Sequence, residues 1–239
     1  MRLNILFEDK DILVCEKPAG VPSQSDKTMD EDMVSLLKNY LYETYQVTNP
    51  YLGLVHRLDR PVGGIMVFAK NKQAAAELSK QIQQSEVNKR YLAIVTEALP
   101  VEEQRESIRL EDYLVKDGRT NLSRVVQKTV KDAKKALLEY RVLEVQEIQQ
   151  LTCSLLEVHL LTGRHHQIRV QLSSHFEGLW GDTKYNKRFM NRGGWSNIAL
   201  YSYYLEFKHP MTKKRMEFQC LPSRGPFTEY AYVNAKASS

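Results

Sequence analysis

Cysteine is scarce: Cys15, Cys153 and Cys220 are the only three in 239 residues, and no Cys-x-x-Cys pair occurs. That excludes a disulfide framework and a thiolate zinc site, and leaves the three as small core residues. Apolar runs are short. None reaches the roughly 18 residues a membrane helix needs, and the opening MRLNILFEDKD meets acid at Glu8 before a signal-peptide apolar region could form. No membrane association is expected, and a cytoplasmic location is. Gly63-Gly64 and Gly193-Gly194 lack the flanking Gly, Lys and Ser/Thr of phosphate loops and dinucleotide folds, so no cofactor is implied. There is no Gly-x-Ser-x-Gly elbow to nominate a serine. His165 and His166 are adjacent, but no His-Glu-x-x-His or comparable spacing accompanies them. On a helix they would point to different sides, and His159, His175 and His209 are scattered, so no metal site is expected. Charge of one sign is barely in excess, 34 Lys plus Arg against 29 Asp plus Glu, or +5. That permits an anionic partner without demanding one.

Apolar residues make up 42% of the chain, enough for a core, and no long linker, repeat or low-complexity stretch interrupts residues 1–239. A single domain ending in a polar tail is expected. DILVCE (11–16) reads as a buried strand and KPAGVPSQSD after it as a loop. Met33, Leu36, Leu37, Tyr40, Leu41 and Tyr45 form a helical stripe behind capping candidates Asp30 and Asp32. GIMVFA (64–69) has strand length, and Asn71 caps a second helix carrying Ala75, Leu78 and Ile82. Tyr91 to Val95 reads as a strand, whereas 100–135 is polar and weakly patterned. KALLEYRVLEV and LTCSLLEVHLL read as two strands paired across QEIQQ. Thr162-Gly163 breaks the second, and a helix is expected from about Arg164 to Ser174. IALYSYYLEF, HPMTKK and RMEFQC close the chain as strand, loop, strand. Hairpins mixed with helices predict an α+β fold on a largely antiparallel, mixed sheet flanked by helices and loops.

Three stretches could carry chemistry. In GLVHRLDRPVGG (53–64), Asp59 stands between Arg57 and Arg60, with His56 before it and Pro61 and a Gly pair behind. A neighbouring guanidinium favours an ionised carboxylate even in a dry cleft, and an ionised, positioned aspartate suits covalent catalysis. A plain turn-anchoring aspartate is the alternative. GRHHQIR (163–169) lies at a strand-to-helix junction, where helix N–H groups and Arg164 attract anions. Arg169 would lie one turn beyond His165; a solvated surface helix is the alternative. KYNKRFMNRGGWSN (184–197) interleaves Lys184, Lys187, Arg188 and Arg192 with Tyr185, Phe189 and Trp195. Cations with stacking rings suit single-stranded RNA, although a basic loop with one aromatic side in the core explains the pattern nearly as well.

Taken together, these stretches resemble the RluA-type pseudouridine synthases, which isomerise uridine inside RNA. HRLD (56–59) with Gly64 is similar to that family's catalytic-aspartate motif. EDKDILVCEKPAGV, NKRYLAIV, LTGRHHQIRVQL, GDTKYN and LYSYYLEFKHPMTKK follow in family order, covering about residues 5–222. The resemblance implies Asp59 as nucleophile, Tyr91 as the active-site tyrosine and Arg169 as the arginine that pairs with the aspartate. His56, Arg57, Arg60, Lys89, Arg164, Lys184 and Arg188 would then hold RNA. It also implies a reaction without metal or cofactor, on a ribosomal or transfer RNA, by a protein expected to be monomeric. No N-terminal S4 domain is expected, since the first family strand begins within the opening residues. This chain departs from the common family pattern at Val62-Gly63, at His165 and at Gln171. These departures motivate one rival reading, a non-catalytic RNA-binding protein on the same scaffold.

Overall fold

The computed structural model describes residues 3–25, 30–101, 107–190 and 197–237. The chain forms two compact units, one from Met1–Asn88 with Ser202–Cys220 and the other from Lys89–Tyr201 with Leu221–Ser239. In chain order, the first unit begins with β1 (Asn4–Glu8), β2 (Ile12–Lys17), α1 (Met33–Tyr45), β3 (Gly53–Leu54), β4 (Gly63–Ala69) and α2 (Lys72–Gln83). The second holds β5 (Asn88–Val95), β6 (Ile108–Asp117), β7 (Leu122–Val126), β8 (Lys134–Ile148), β9 (Leu151–Leu160) and α3 (Gln167–His175). The chain then returns to the first unit through β10 (Leu200–Lys208) and β11 (Arg215–Gln219), and ends in the second with α4 (Ala231–Ala237).

In the first unit the strands run in the order β1, β2, β4, β10, with β3 beside β4 and β11 beside β10. β2 and β4 are antiparallel, from Ile12 opposite Ala69 to Lys17 opposite Gly64. Both faces of this pair are buried, which is why ILVC (12–15) and GIMVFA are continuous apolar runs rather than alternating ones. One face packs Ile12, Val14, Ile65 and Val67 with Ala74 and Leu78 of α2 and with Leu205 and Phe207 of β10. α1 buries Met33, Leu37 and Leu41, one helical turn apart. Its N-cap is Asp32, whose Oδ1 accepts from the N–H groups of Val34 and Ser35 at 2.9 and 3.2 Å. Asn71 caps α2 in the same way, accepting from Ala74 N at 2.8 Å.

Gly64, at the start of β4, has φ +123°, and a Cβ there would lie 2.3 to 2.7 Å from the backbone O, N and C of Ser202. Backbone cannot swing aside as a flexible side chain can. Gly64→Ala is therefore expected to cost about 4 kcal/mol or more, combining strain with overpacking. An unfolding free energy from denaturant titration within about 1 kcal/mol of wild type would refute this close approach.

In the second unit the order is β5, β9, β8, β6, β7, all antiparallel. The β8–β9 hairpin forms as expected, with a tighter turn. Ile148 faces Leu151 across Gln149 and Gln150, both left-handed at φ 48° and 65°, the backbone that suits the right-handed strand twist. Residues 108–126, weakly patterned in sequence, form β6 and β7. Leu110 and Leu114 are buried while charged neighbours face outward, so the strand has one apolar side only. α3 starts at Gln167 rather than Arg164, because His166 takes a left-handed conformation at φ 53° that breaks the helix before it. α3 sits against this hairpin, with Val170 packed on Leu114 and Ala136 beside Val125 and Tyr185.

Candidate active site

The loop between β3 and β4 carries Asp59 and is tied down on several sides. His56 accepts the N–H of Val67 in β4 at its Nε2, 3.1 Å away. Ser23 Oγ donates to Leu58 O at 2.8 Å and accepts from Leu58 N at 3.2 Å, so one hydroxyl satisfies both backbone groups of the residue before Asp59. Val62 N closes the turn onto Asp59 O at 2.9 Å, and Arg60 O accepts from Gly20 N at 2.8 Å. The guanidinium of Arg60 reaches Gly20 O at 3.0 Å and Asp30 at 2.6 Å. Arg57 is exposed.

Sequence reasoning missed Lys17. It lies at the end of β2 with 0% exposure, and its Nζ donates to the carbonyls of Pro18, Val21 and Arg60 at 2.9, 2.7 and 3.1 Å. Burial pushes its pKa down to about 7, against the field of the Asp59 carboxylate, which raises it, and with Arg60, which lowers it further. The available signal was its place: a lysine ending a buried strand, directly before Pro-Ala-Gly.

In the second unit Tyr91 sits in β5 opposite Val158, 6% exposed. Lys89, at the start of that strand, has its pKa lowered by burial. Arg169, in the first turn of α3, makes a two-pronged bond to Asp182, Nε to Oδ2 and Nη2 to Oδ1, both 2.8 Å. Their side chains are 5% and 0% exposed. Asp182 Oδ1 also accepts from the N–H groups of Lys184 and Tyr185, so the GDTKYN turn and α3 meet on one carboxylate. The Arg169 guanidinium lies 5.2 Å from the Tyr185 ring centroid. Sequence reasoning also passed over Asp182, because an aspartate after Gly181 in a turn looks like an ordinary turn anchor.

The two histidines before α3 do not lie on opposite helix sides as expected. They precede the helix, and their rings stack at 3.8 Å. His165 Nδ1 is 2.8 Å from Ser123 Oγ of β7. The Tyr185 hydroxyl accepts from Ser123 N at 2.8 Å and lies 2.7 Å from His166 Nδ1. Burial, then the charge of Arg169, pushes His166 down to about 2. His166 therefore stays neutral.

The α3 junction is partly closed by its own side chains. Gln167 Oε1 accepts from Arg164 N at 2.9 Å and from Thr162 Oγ1 at 2.8 Å. Gln167 Nε2 donates to Gln171 Oε1 at 2.9 Å, and Gln171 Nε2 to Asp112 Oδ2 at 2.8 Å. Gln171, a departure in sequence, is thus the middle of a buried amide chain. Arg164 is exposed and its Nε donates to Lys135 O at 2.9 Å. Lys184 Nζ reaches Asn121 O at 3.3 Å. Arg188 is exposed and paired with Glu177. Phe189 is not a stacking surface: it is buried, with its ring 5.3 Å from that of Trp180. Arg192, Gly193, Gly194 and Trp195 lie outside the described residues.

Asp9, Asp11 and His209 bring possible metal ligands within 4.8 Å of one another. His209 Nδ1 accepts from the N–H groups of Met211 and Thr212, so Nε2 carries the proton and donates to Asp9 Oδ2 at 2.9 Å. Asp9 Oδ1 accepts from the N–H groups of Asp11 and Ile12. This is a hydrogen-bonded clasp between the β1–β2 and β10–β11 turns.

The sequence profile of the RNA pseudouridylate synthase family matches residues 11–174. A tRNA pseudouridine synthase C from Haemophilus ducreyi is 31% identical, over 92% of this chain and 91% of that protein. A ribosomal large subunit pseudouridine synthase D from Nitrosomonas europaea is 35% identical, over 87% of this chain and 58% of its own length. The chain spans about two-thirds or less of the length of the first curated relatives it matches. Among solved structures, human RNA pseudouridylate synthase domain containing 1 superposes with a TM-score of 0.74 at 23% identity, covering 94% of this chain and 85% of that one.

Proposed function

Because the chain belongs to the RNA pseudouridylate synthase family, we propose that it isomerises a uridine within RNA to pseudouridine, with Asp59 as the group that reacts. The observation that supports this most directly is the bracing of the Asp59 loop: Ser23, Gly20 and Lys17 fix the backbone on both sides of one carboxylate. A turn that merely reversed the chain would not require a buried cation beneath it. The reaction breaks the bond from base N1 to the sugar C1′ and forms one from C5 to C1′; the C5 hydrogen leaves as a proton to water and N1 takes a proton up, so the composition is unchanged. It consumes no redox equivalent. Tyr91 stacks on the extruded base and accepts a proton at base or sugar, and Arg169 favours the ionised form of Asp59. Arg57, Lys89, Arg164 and Lys184, with the other basic residues nearby, hold the phosphates.

The substrate is a ribosomal or transfer RNA, the two classes in the names of its relatives. Tritium release from RNA carrying 5-tritiated uridine tests both, with transcripts of each class given separately to wild-type and Asp59→Asn protein. Release by wild type alone supports the isomerase and identifies the class. RNA binding by wild type with no release from either class would favour the non-catalytic reading.

A further inference from the structure

The positive charge of the chain is concentrated in one place. Residues 116–135 hold seven Lys or Arg against two Asp, a net +5 that equals the net charge of the whole chain, so everything outside this segment sums to zero. All seven cations are exposed. Among the described residues only one of them, Lys135, is in an ion pair, with Glu111 at 2.7 Å, whereas exposed cations elsewhere, such as Arg188, Lys208 and Arg215, are paired. The segment is the end of the β6–β7 hairpin and the turn leading into β8. β8 pairs with β6 only as far as Leu114 opposite Lys134, while β6 and β7 stay paired from Val115 opposite Arg124 to Asp117 opposite Leu122. The last three pairs thus run past β8 as a two-stranded ribbon. Strand alternation places Lys116 on the face of Leu114, which packs toward α3, and Arg124 on the opposite face. Arg119 lies at the tip, where Asp117 Oδ1 accepts its N–H at 2.8 Å and Lys184 Nζ reaches Asn121 O at 3.3 Å. The ribbon therefore meets an anion on either face and at its end. It carries no aromatic residue from 116 to 135, so it offers an unpaired base nothing to stack on. Cations without rings hold phosphates, and a duplex presents two rows of phosphates while its bases stay stacked inside.

We propose that residues 116–135 form a clamp for the two phosphate backbones of a helical stem in the RNA substrate, gripping it without regard to sequence. This rests on the reading of the chain as an enzyme of RNA, and adds that its substrate is a folded one with a stem outside the reacting uridine.

Salt-dependent binding tests it. Full-length protein is titrated by fluorescence anisotropy with a labelled RNA duplex about 16 base pairs long, enough for two successive minor grooves, and with single-stranded oligouridylate of equal length. Wild type should bind the duplex more tightly than the single strand, and two duplexes of unrelated sequence alike. In the triple variant Lys116→Gln, Arg119→Gln, Arg124→Gln, loss of three phosphate contacts should flatten the slope of log affinity against log salt by about 2–3 and weaken duplex binding about 100-fold at about 0.1 M salt. Arg119→Gln alone should flatten the slope by about 0.9. Neutralising three exposed lysines of the first unit instead, Lys10, Lys72 and Lys80, should leave the slope within about 0.5 of wild type, which separates a local grip from net charge. An unflattened slope in the triple variant, equal flattening in the first-unit variant, or oligouridylate bound by wild type as tightly as the duplex would each overturn the clamp. Binding is read without turnover. Wild type that grips the duplex through this ribbon yet releases no tritium from any RNA would support the clamp and overturn the isomerase reading; tritium release without a duplex grip would do the reverse.

Discussion

Asp59→Asn is expected to lower turnover by about 10⁴-fold or more, the scale seen when a reacting side chain is removed, with RNA affinity changed by no more than about threefold. Asparagine has the same shape, so packing is retained. The contacts that hold this loop run through the backbone of Leu58, Asp59 and Arg60, through Ser23 and through Lys17, none of which the substitution deletes. What disappears is a negative charge and, with it, the proposed nucleophile. Single-turnover tritium release at saturating protein separates this from a binding defect, and a filter-binding titration on the same RNA supplies the affinity. Residual turnover above about a tenth of wild type would remove Asp59 from the reaction.

The second large effect concerns stability. Asp182→Ala should cost about 3–5 kcal/mol, because it leaves the guanidinium of Arg169 buried without the carboxylate that takes two of its donors. It also removes the acceptor for the N–H groups of Lys184 and Tyr185. Asp182→Asn keeps Oδ1 as the acceptor for those N–H groups and for Arg169 Nη2, and loses the charge and the acceptor facing Arg169 Nε, so its cost should be smaller. Guanidinium unfolding of the three proteins gives the ranking. A loss below about 1 kcal/mol for Asp182→Ala would show that Arg169 does not depend on this pair. The order reflects how the interaction is built: one carboxylate serves a helix and a turn at once, so deleting it loosens both.

Much of the frame was legible because burial and period agree. β4 and the Ile12–Cys15 part of β2 are continuously apolar because both faces are covered, and α1 and α2 show their buried stripes behind Asp32 and Asn71. β6 and β7 were not legible, since a sheet with one wet face places Glu111, Lys116 and Arg124 between its apolar residues, and the charge density hides the alternation. The start of α3 was hidden by a left-handed histidine, a conformation that carries no composition signal. Asp59 and Arg169 were singled out through ordered motifs. Lys17 and Asp182, both buried, were not, because a lysine and a turn aspartate are ordinarily solvated. Only the folded chain places them out of water.

The amide chain beneath α3 has a polarity. From Thr162 through Gln167 and Gln171 to Asp112, every hydrogen bond is given in the same sense. Turning over one glutamine amide would set donor against donor or acceptor against acceptor at its neighbour, so the links can reverse only as a group. Asp112, when ionised, can only accept, which forbids the reversed order. The row therefore has a single permitted setting. The helix bearing Arg169 is keyed to the sheet like a lock with one orientation.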